Sequence, residues 1–171
     1  MAKLELEIAQ LIREYQAKVG KPLTIATVES ATGGKIADRL TDVPGSSDYF
    51  KGSIVSYSNE VKIDTIGVKK ETIESYGAVS PQTALEMAQG GKRLLGVDIC
   101  ISDTGIAGPS GATPEKPVGL FYTGLAAEDT SLSQKHIFCG NREDNKRDAA
   151  EAALSMLKQH LLRLCLGKDK C

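Results

Sequence analysis

Chemistry is most readily placed in the stretch TVESATGG, residues 27–34, where an apolar run stops at Glu29-Ser30 and a helical pattern begins. A hydroxyl at that junction has two possible roles. Ser30 or Thr32 can cap the helix by accepting a backbone N–H. Ser30 can equally be a nucleophile, because a helix N-terminus stabilises developing negative charge. A nucleophilic serine needs a base, and the chain holds only two histidines, His136 and His160. His160 falls in a late helical run, and His136 in a short strand-like stretch beside Gln134 and Lys135 with no acidic partner nearby. That argues against a Ser-His-Asp triad. A lysine can replace histidine if burial makes it neutral. SYSNEVK, residues 56–62, offers Tyr57 and Lys62 across a strand-to-helix turn, where the two could converge on one point. One lysine near one tyrosine is common by chance, so spacing alone leaves the pair unassigned.

Three further motifs bear on ligands. GGK at 33–35 is not a phosphate-binding P-loop, because Glu29 stands where the first glycine belongs and Ile36 where Ser or Thr does. GIAGPSG at 105–111 follows a strand pattern but opens no helix, so it is not a dinucleotide fingerprint. It is either a tight turn or a loop whose backbone N–H groups approach an anion closely. Arg142 begins the last helical pattern, where its guanidinium could clamp a phosphate or pair with Glu143 or Asp144.

The elements that must position these residues follow from periodicity. Leu4, Ile8, Leu11, Ile12, Tyr15 and Val19 recur at helical spacing up to Gly20. LTIATV (23–28) reads as a buried strand, followed by a helix over about 33–41 and a short helical piece over 46–50. A second strand is expected at 52–58, then a short helix capped by Ser58 or Asn59, and another closed by Gly77. Ser80-Pro81 opens a helix reaching Leu95. Residues 97–105 read as a strand with Val97, Ile99 and Ile101 on one face, followed by the long irregular segment 104–119. A hairpin across EDTS and a final helix over 144–166 complete the chain. The pattern predicts an α/β sandwich whose sheet mixes parallel crossovers with one antiparallel hairpin. An irregular segment this long, with Ile106, Ala107 and three prolines, predicts an ordered binding loop.

Composition narrows the function classes. The 171 residues suit a single domain spanning 1–171, 41% hydrophobic and 25% charged, without repeats or linkers. A net charge of −1 with scattered lysines and arginines argues against nucleic acid as the main partner. The amphipathic N-terminus is neither a signal peptide nor a membrane span. Cys100, Cys139, Cys165 and Cys171 form no C-x-x-C pair, which predicts a reduced, cytoplasmic protein without a zinc site.

Taken together, VESATGG, VPGSSDYFKGSIVSYSNEVK, GAVSPQTALEMAQG, TGIAGPSGATPEKPVG and FCGNR resemble, in order and spacing, the nicotinamide-nucleotide amidase (PncC) family. That family is also the C-terminal domain of the competence/damage-inducible protein CinA. The resemblance spans about residues 5–160; the N-terminal module of full-length CinA proteins is expected to be absent. It implies a three-layer α/β/α sandwich, a homodimer, and no metal or organic cofactor. It also implies hydrolysis of the carboxamide of nicotinamide mononucleotide, a small-molecule nucleotide, to nicotinate mononucleotide and ammonia. The family's nucleophile matches Ser30, and its supporting pair matches Tyr57 and Lys62. Ala31 replaces a common family cysteine, GPSGAT a common GPDGGT, and GNR a common GDR.

The expected mechanism has neutral Lys62 accept the Ser30 proton directly or through Tyr57. Thr32, Gly33 and Gly34 are expected on the substrate, with N–H groups near the two glycines holding the oxyanion. Thr104, Gly105 and Gly108 are expected at the ribose or phosphate, with Arg142 as charge partner. The alternative is a non-catalytic nucleotide-binding module linked to competence or DNA damage, which would keep the 104–119 loop and Arg142 but need no neutral Lys62.

Overall fold

The computed structural model describes residues 3–167; Cys171 lies outside them. The first amphipathic pattern forms α1 (Leu4–Val19), which buries Ile8, Ala9 and Ile12 and ends at Gly20 in the left-handed conformation. The β-branched run forms β1 (Ile25–Glu29), buried along its whole length, including Glu29. Then come α2 (Lys35–Thr41), a 3-10 turn at Ser46–Asp48 and β2 (Phe50–Val55). The helix expected after β2 is a short α3 (Asn59–Val61) running directly into a π turn at Lys62–Ile66. The rest of the chain comprises α4 (Lys70–Tyr76), α5 (Pro81–Leu95), β3 (Ile99–Gly105), β4 (Leu120–Ala126), β5 (Ser131–Ile137) and α6 (Arg142–Leu166).

The sheet runs β2-β1-β3-β4-β5. Strand β1 is parallel to both β2 and β3, while β3-β4 and β4-β5 are antiparallel. Helices cover both faces. On one, α1, α2 and α6 bury Ile8, Ile12, Leu40, Leu154 and Leu157 against Ile25, Ile99, Ile101 and Leu125. On the other, Met87 of α5 and Ile66 and Val68 pack on Ala26, Val28 and Cys100. Each such aliphatic side chain contributes roughly 1.5–3 kcal/mol on full burial. Val97 departs from expectation. It precedes β3 and packs in the second core, away from Ile99 and Ile101.

This topology fixes where a site can form. The chain leaves β1 toward β2 on one side and returns as β3 on the other, so the connections part between β1 and β3. In an open α/β sheet the crevice outside the carboxyl ends of strands at such a switch point receives ligands. Ser30 follows the carboxyl end of β1, and Asp103, Thr104 and Gly105 close that of β3. Among the described residues no helix is long and apolar enough to cross a membrane.

Candidate active site

Ser30 leaves β1 in a turn held from below by two buried carboxylates. Glu29 accepts N–H bonds from Gly34 (2.8 Å), Ile36 (3.2 Å) and Ala37 (2.8 Å), so its carboxylate caps α2. Asp103 accepts the N–H groups of Ser30 (3.0 Å) and Thr32 (3.1 Å). The Thr32 hydroxyl lies between them, 2.7 Å from Glu29 Oε2 and hydrogen-bonded to Asp103 Oδ1.

Lys62 reaches this turn from the other side. Its Nζ is 2.9 Å from Ser30 Oγ, 2.6 Å from the Ser56 carbonyl and 3.4 Å from the Tyr57 carbonyl. The side chain is only 1% exposed, and among the described residues it has no ion-pair partner. A neutral amine fits these contacts: two N–H groups donate to the two carbonyls, and the lone pair faces the serine hydroxyl. Burial pushes the Lys62 amine below its usual range, against the opposing pull of Asp103. The π turn begins at Lys62, and its widened backbone is a feature often found at functional sites.

A cavity of about 220 Å³ opens above the pair, lined in part by Ser30, Ala31, Lys62, Thr104, Gly105 and Gly108. Arg142 and Tyr57 form its rim. The guanidinium donates to the Gly108 carbonyl (2.7 Å) and to the Tyr57 hydroxyl (3.1 Å). It therefore bridges two loops and makes no pair with Glu143 or Asp144. Asn141 caps α6 by accepting from Glu143 and Asp144 N–H groups, which sets Arg142 on the first turn. Gly108 has φ 88°, and a Cβ there would stand 2.5 Å from Val118, so this part of the loop requires glycine. Backbone bonds close the base of the 104–119 segment, with Ile106 N–H donating to the Leu120 carbonyl and Gly119 N–H to the Ile106 carbonyl, and Asn145 donates to the Ala107 carbonyl.

Not every expected site residue reaches the cavity. Thr32 is fully buried and its hydroxyl is taken up by the two carboxyls. The Gly33 N–H bonds the Ser30 carbonyl and the Gly34 N–H bonds Glu29, so neither is available to an oxyanion. Ala31, which follows Ser30 and lines the cavity, has an N–H in no hydrogen bond among the described residues. Tyr57 is 63% exposed and presents its hydroxyl to Arg142; only its carbonyl approaches Lys62. Thr104 lines the cavity while donating its hydroxyl to the Ala78 carbonyl (2.7 Å). His136 bonds Thr123 and His160 lines a separate cavity with Tyr15 and Lys92, so neither joins Ser30. No cluster of metal-ligating side chains occurs among the described residues.

Reading the sequence missed Glu29, Asp103 and Asn145. The available signal was an acid at the carboxyl end of each of two apolar strand patterns, a place where burial is expected and an unpaired charge is costly.

Known proteins share this arrangement of elements. A CinA-like protein of Syntrophomonas wolfei is 50% identical over 85% of this chain and 34% of its own length. One of Kosmotoga olearia is 42% identical over 96% of this chain and 43% of its own. The chain thus spans less than half the length of these curated relatives. The crystal structure of the competence/damage inducible protein CihA of Agrobacterium tumefaciens superposes with a TM-score of 0.85 at 35% identity, covering 95% of this chain and 98% of that one. The family model of the CinA C-terminal domain matches residues 4–161, and the chain belongs to that family.

Proposed function

We propose that this domain is an amidase that hydrolyses the carboxamide of nicotinamide mononucleotide to nicotinate mononucleotide and ammonia. The observation that carries the reading is the 2.9 Å approach of a buried, unpaired lysine amine to a serine hydroxyl at the floor of a cavity. Lys62 takes the Ser30 proton as the hydroxyl attacks the carboxamide carbon. The Ser30–carbon bond forms, and the carbonyl electrons move to an oxyanion received by the Ala31 N–H. Protonated Lys62 returns the proton to the departing nitrogen, the C–N bond breaks and ammonia leaves. Water then attacks the acyl-enzyme by the same route in reverse, freeing the carboxylic acid and Ser30. Arg142 at the rim supplies the positive charge for the nucleotide phosphate, exchanging its bonds to Gly108 and Tyr57 for that anion.

The test is ammonia release by the purified protein given nicotinamide mononucleotide. The wild type is expected to turn over and Ser30→Ala to be inactive while remaining folded. Near-normal release from Ser30→Ala would refute the nucleophile. Binding of the nucleotide without release by the wild type would favour the non-catalytic module.

A further inference from the structure

The Thr32 hydroxyl carries one hydrogen, yet it lies within hydrogen-bond distance of two buried carboxyl oxygens, Glu29 Oε2 and Asp103 Oδ1. If both acids were ionised, Thr32 could satisfy one and would turn a lone pair toward the other, with all three side chains fully buried. Two short contacts need two protons, so one carboxyl must supply the second. Glu29 is the wrong candidate. Its Oε2 already meets the Gly34 and Ile36 N–H groups besides Thr32, and its Oε1 meets Ala37 N–H and the hydroxyls of Thr27 and Ser53. The Thr27 and Ser53 hydroxyls also bond each other at 2.6 Å, but the three N–H groups alone make Glu29 the better-satisfied acceptor of the two acids. Asp103 accepts only two N–H bonds, and the oxygen facing Thr32 can donate.

We propose that Asp103 is the positioning residue for the Ser30 nucleophile and that it acts as the protonated acid, donating to Thr32, which in turn donates to Glu29. The chain Asp103–Thr32–Glu29 then ties the turn to two strands: Asp103 grips the N–H groups on both sides of Ala31, and Glu29 holds the start of α2. Asp103 does not line the cavity, so it acts through Ser30 and does not touch substrate. The charged and titratable groups facing the cluster are Glu29 from β1, Lys62 from the π turn and Lys146 from α6 above Gly33. His136 is reached through Thr123, the β4 residue paired with Asp103. Burial raises the Asp103 carboxyl to about 6, with the Glu29 charge adding to the rise against its N–H and Thr32 bonds. A neutral Asp103 also spares Lys62 the anion that would favour its ammonium form.

Although its role rests on Ser30 being the nucleophile, the protonation can be read without substrate. Infrared spectra of the whole protein at pH 6, wild type minus Asp103→Asn, are expected to show a protonated-carboxyl C=O band where ordinary carboxyls are ionised. The band should move in Thr32→Val, which removes the acceptor of that proton and keeps the side-chain shape. A wild type without the band, or a band that survives Asp103→Asn, overturns the protonation. In the amidase assay Asp103→Asn is expected to lower kcat about 100-fold with KM nearly unchanged, the signature of a misplaced reacting group. An unchanged kcat overturns the positioning role. If Asp103→Asn does not fold, the wild-type band and its movement in Thr32→Val decide the matter. If the wild type shows the band but no ammonia release, the amidase reading fails and the protonation stands.

Discussion

At the residue scale, the burial of Lys62 is costly to the fold, and the proposed amidase chemistry supplies a use for it. A buried amine without an ion-pair partner among the described residues is retained against its desolvation penalty. Lys62→Met is therefore expected to leave stability unchanged or raise it, while kcat falls about 100- to 10,000-fold with the loss of the general base; thermal melts and ammonia release on the same sample check both. Because the neutral amine is the active form, kcat/KM should fall as pH drops through its folded pKa, which burial places below 10.5. A pH–rate profile with its acid limb at the ordinary lysine value would contradict this. Tyr57 yields a different expectation. Its phenol touches Arg142 at the rim, so Tyr57→Phe should raise KM more than it lowers kcat; a fall of 100-fold or more in kcat would restore the phenol to the proton path. Ser30 and Lys62 were legible in the sequence through the five quoted blocks, since their 32-residue separation means nothing until β1 and β2 are paired. The acids beneath Ser30 left only the trace of their place at the ends of two apolar strand patterns, since nothing in the letters of a strand-end acid tells which backbone N–H groups it will accept.

At the element scale, α5 sets the position of the π turn that carries Lys62. Gly90 lies where a Cβ would stand 2.1 Å from the Ile66 carbonyl oxygen, and Gly91 where one would stand 2.3 Å from Val28. The helix thus rests directly on the backbone of the turn and on β1. Gly90→Ala must push Ile66 away and the turn with it. The expected result is a loss of about 1–3 kcal/mol in urea unfolding from overpacking, together with a lower kcat from a residue outside the cavity. Normal turnover in a destabilised Gly90→Ala would show that Lys62 does not depend on this contact. The same elements show how far periodicity reaches. α1, α5, the β4–β5 hairpin and α6 lie within a few residues of expectation, because each buries one long stripe or pairs locally. The π turn was not readable, because a single turn of i→i+5 bonding leaves no periodic pattern in five residues.

At the scale of the whole molecule, buried ionisable groups pull stability in opposite directions as pH changes. Glu5 is buried, but its place at the start of α1 and the Arg39 guanidinium 2.7 Å away lower its carboxyl. Its contribution is present above the usual carboxylate range and lost on acidification. His136 and His160 are pushed down by burial, so they too favour the folded state at higher pH and withdraw that support as pH falls below 6.5. Asp103 has the opposite sign. Its folded value of about 6 lies above its ordinary 3.8, so its contribution is complete below 3.8 and is lost as pH rises through 6. A difference of about two pH units corresponds to roughly 3 kcal/mol. Because the other groups mask this in the wild type alone, the comparison must be with Asp103→Asn, which cannot ionise. Urea unfolding at pH 4, 5, 6 and 7 should show wild-type stability declining relative to Asp103→Asn by about that amount as pH rises. A difference independent of pH would mean that Asp103 titrates like an exposed acid and is not held protonated by the fold. A decline of the expected size would mean that the folded domain gives up stability near neutrality to keep a carboxyl beneath its nucleophile, where an uncharged amide would be safer for the fold and worse for the chemistry.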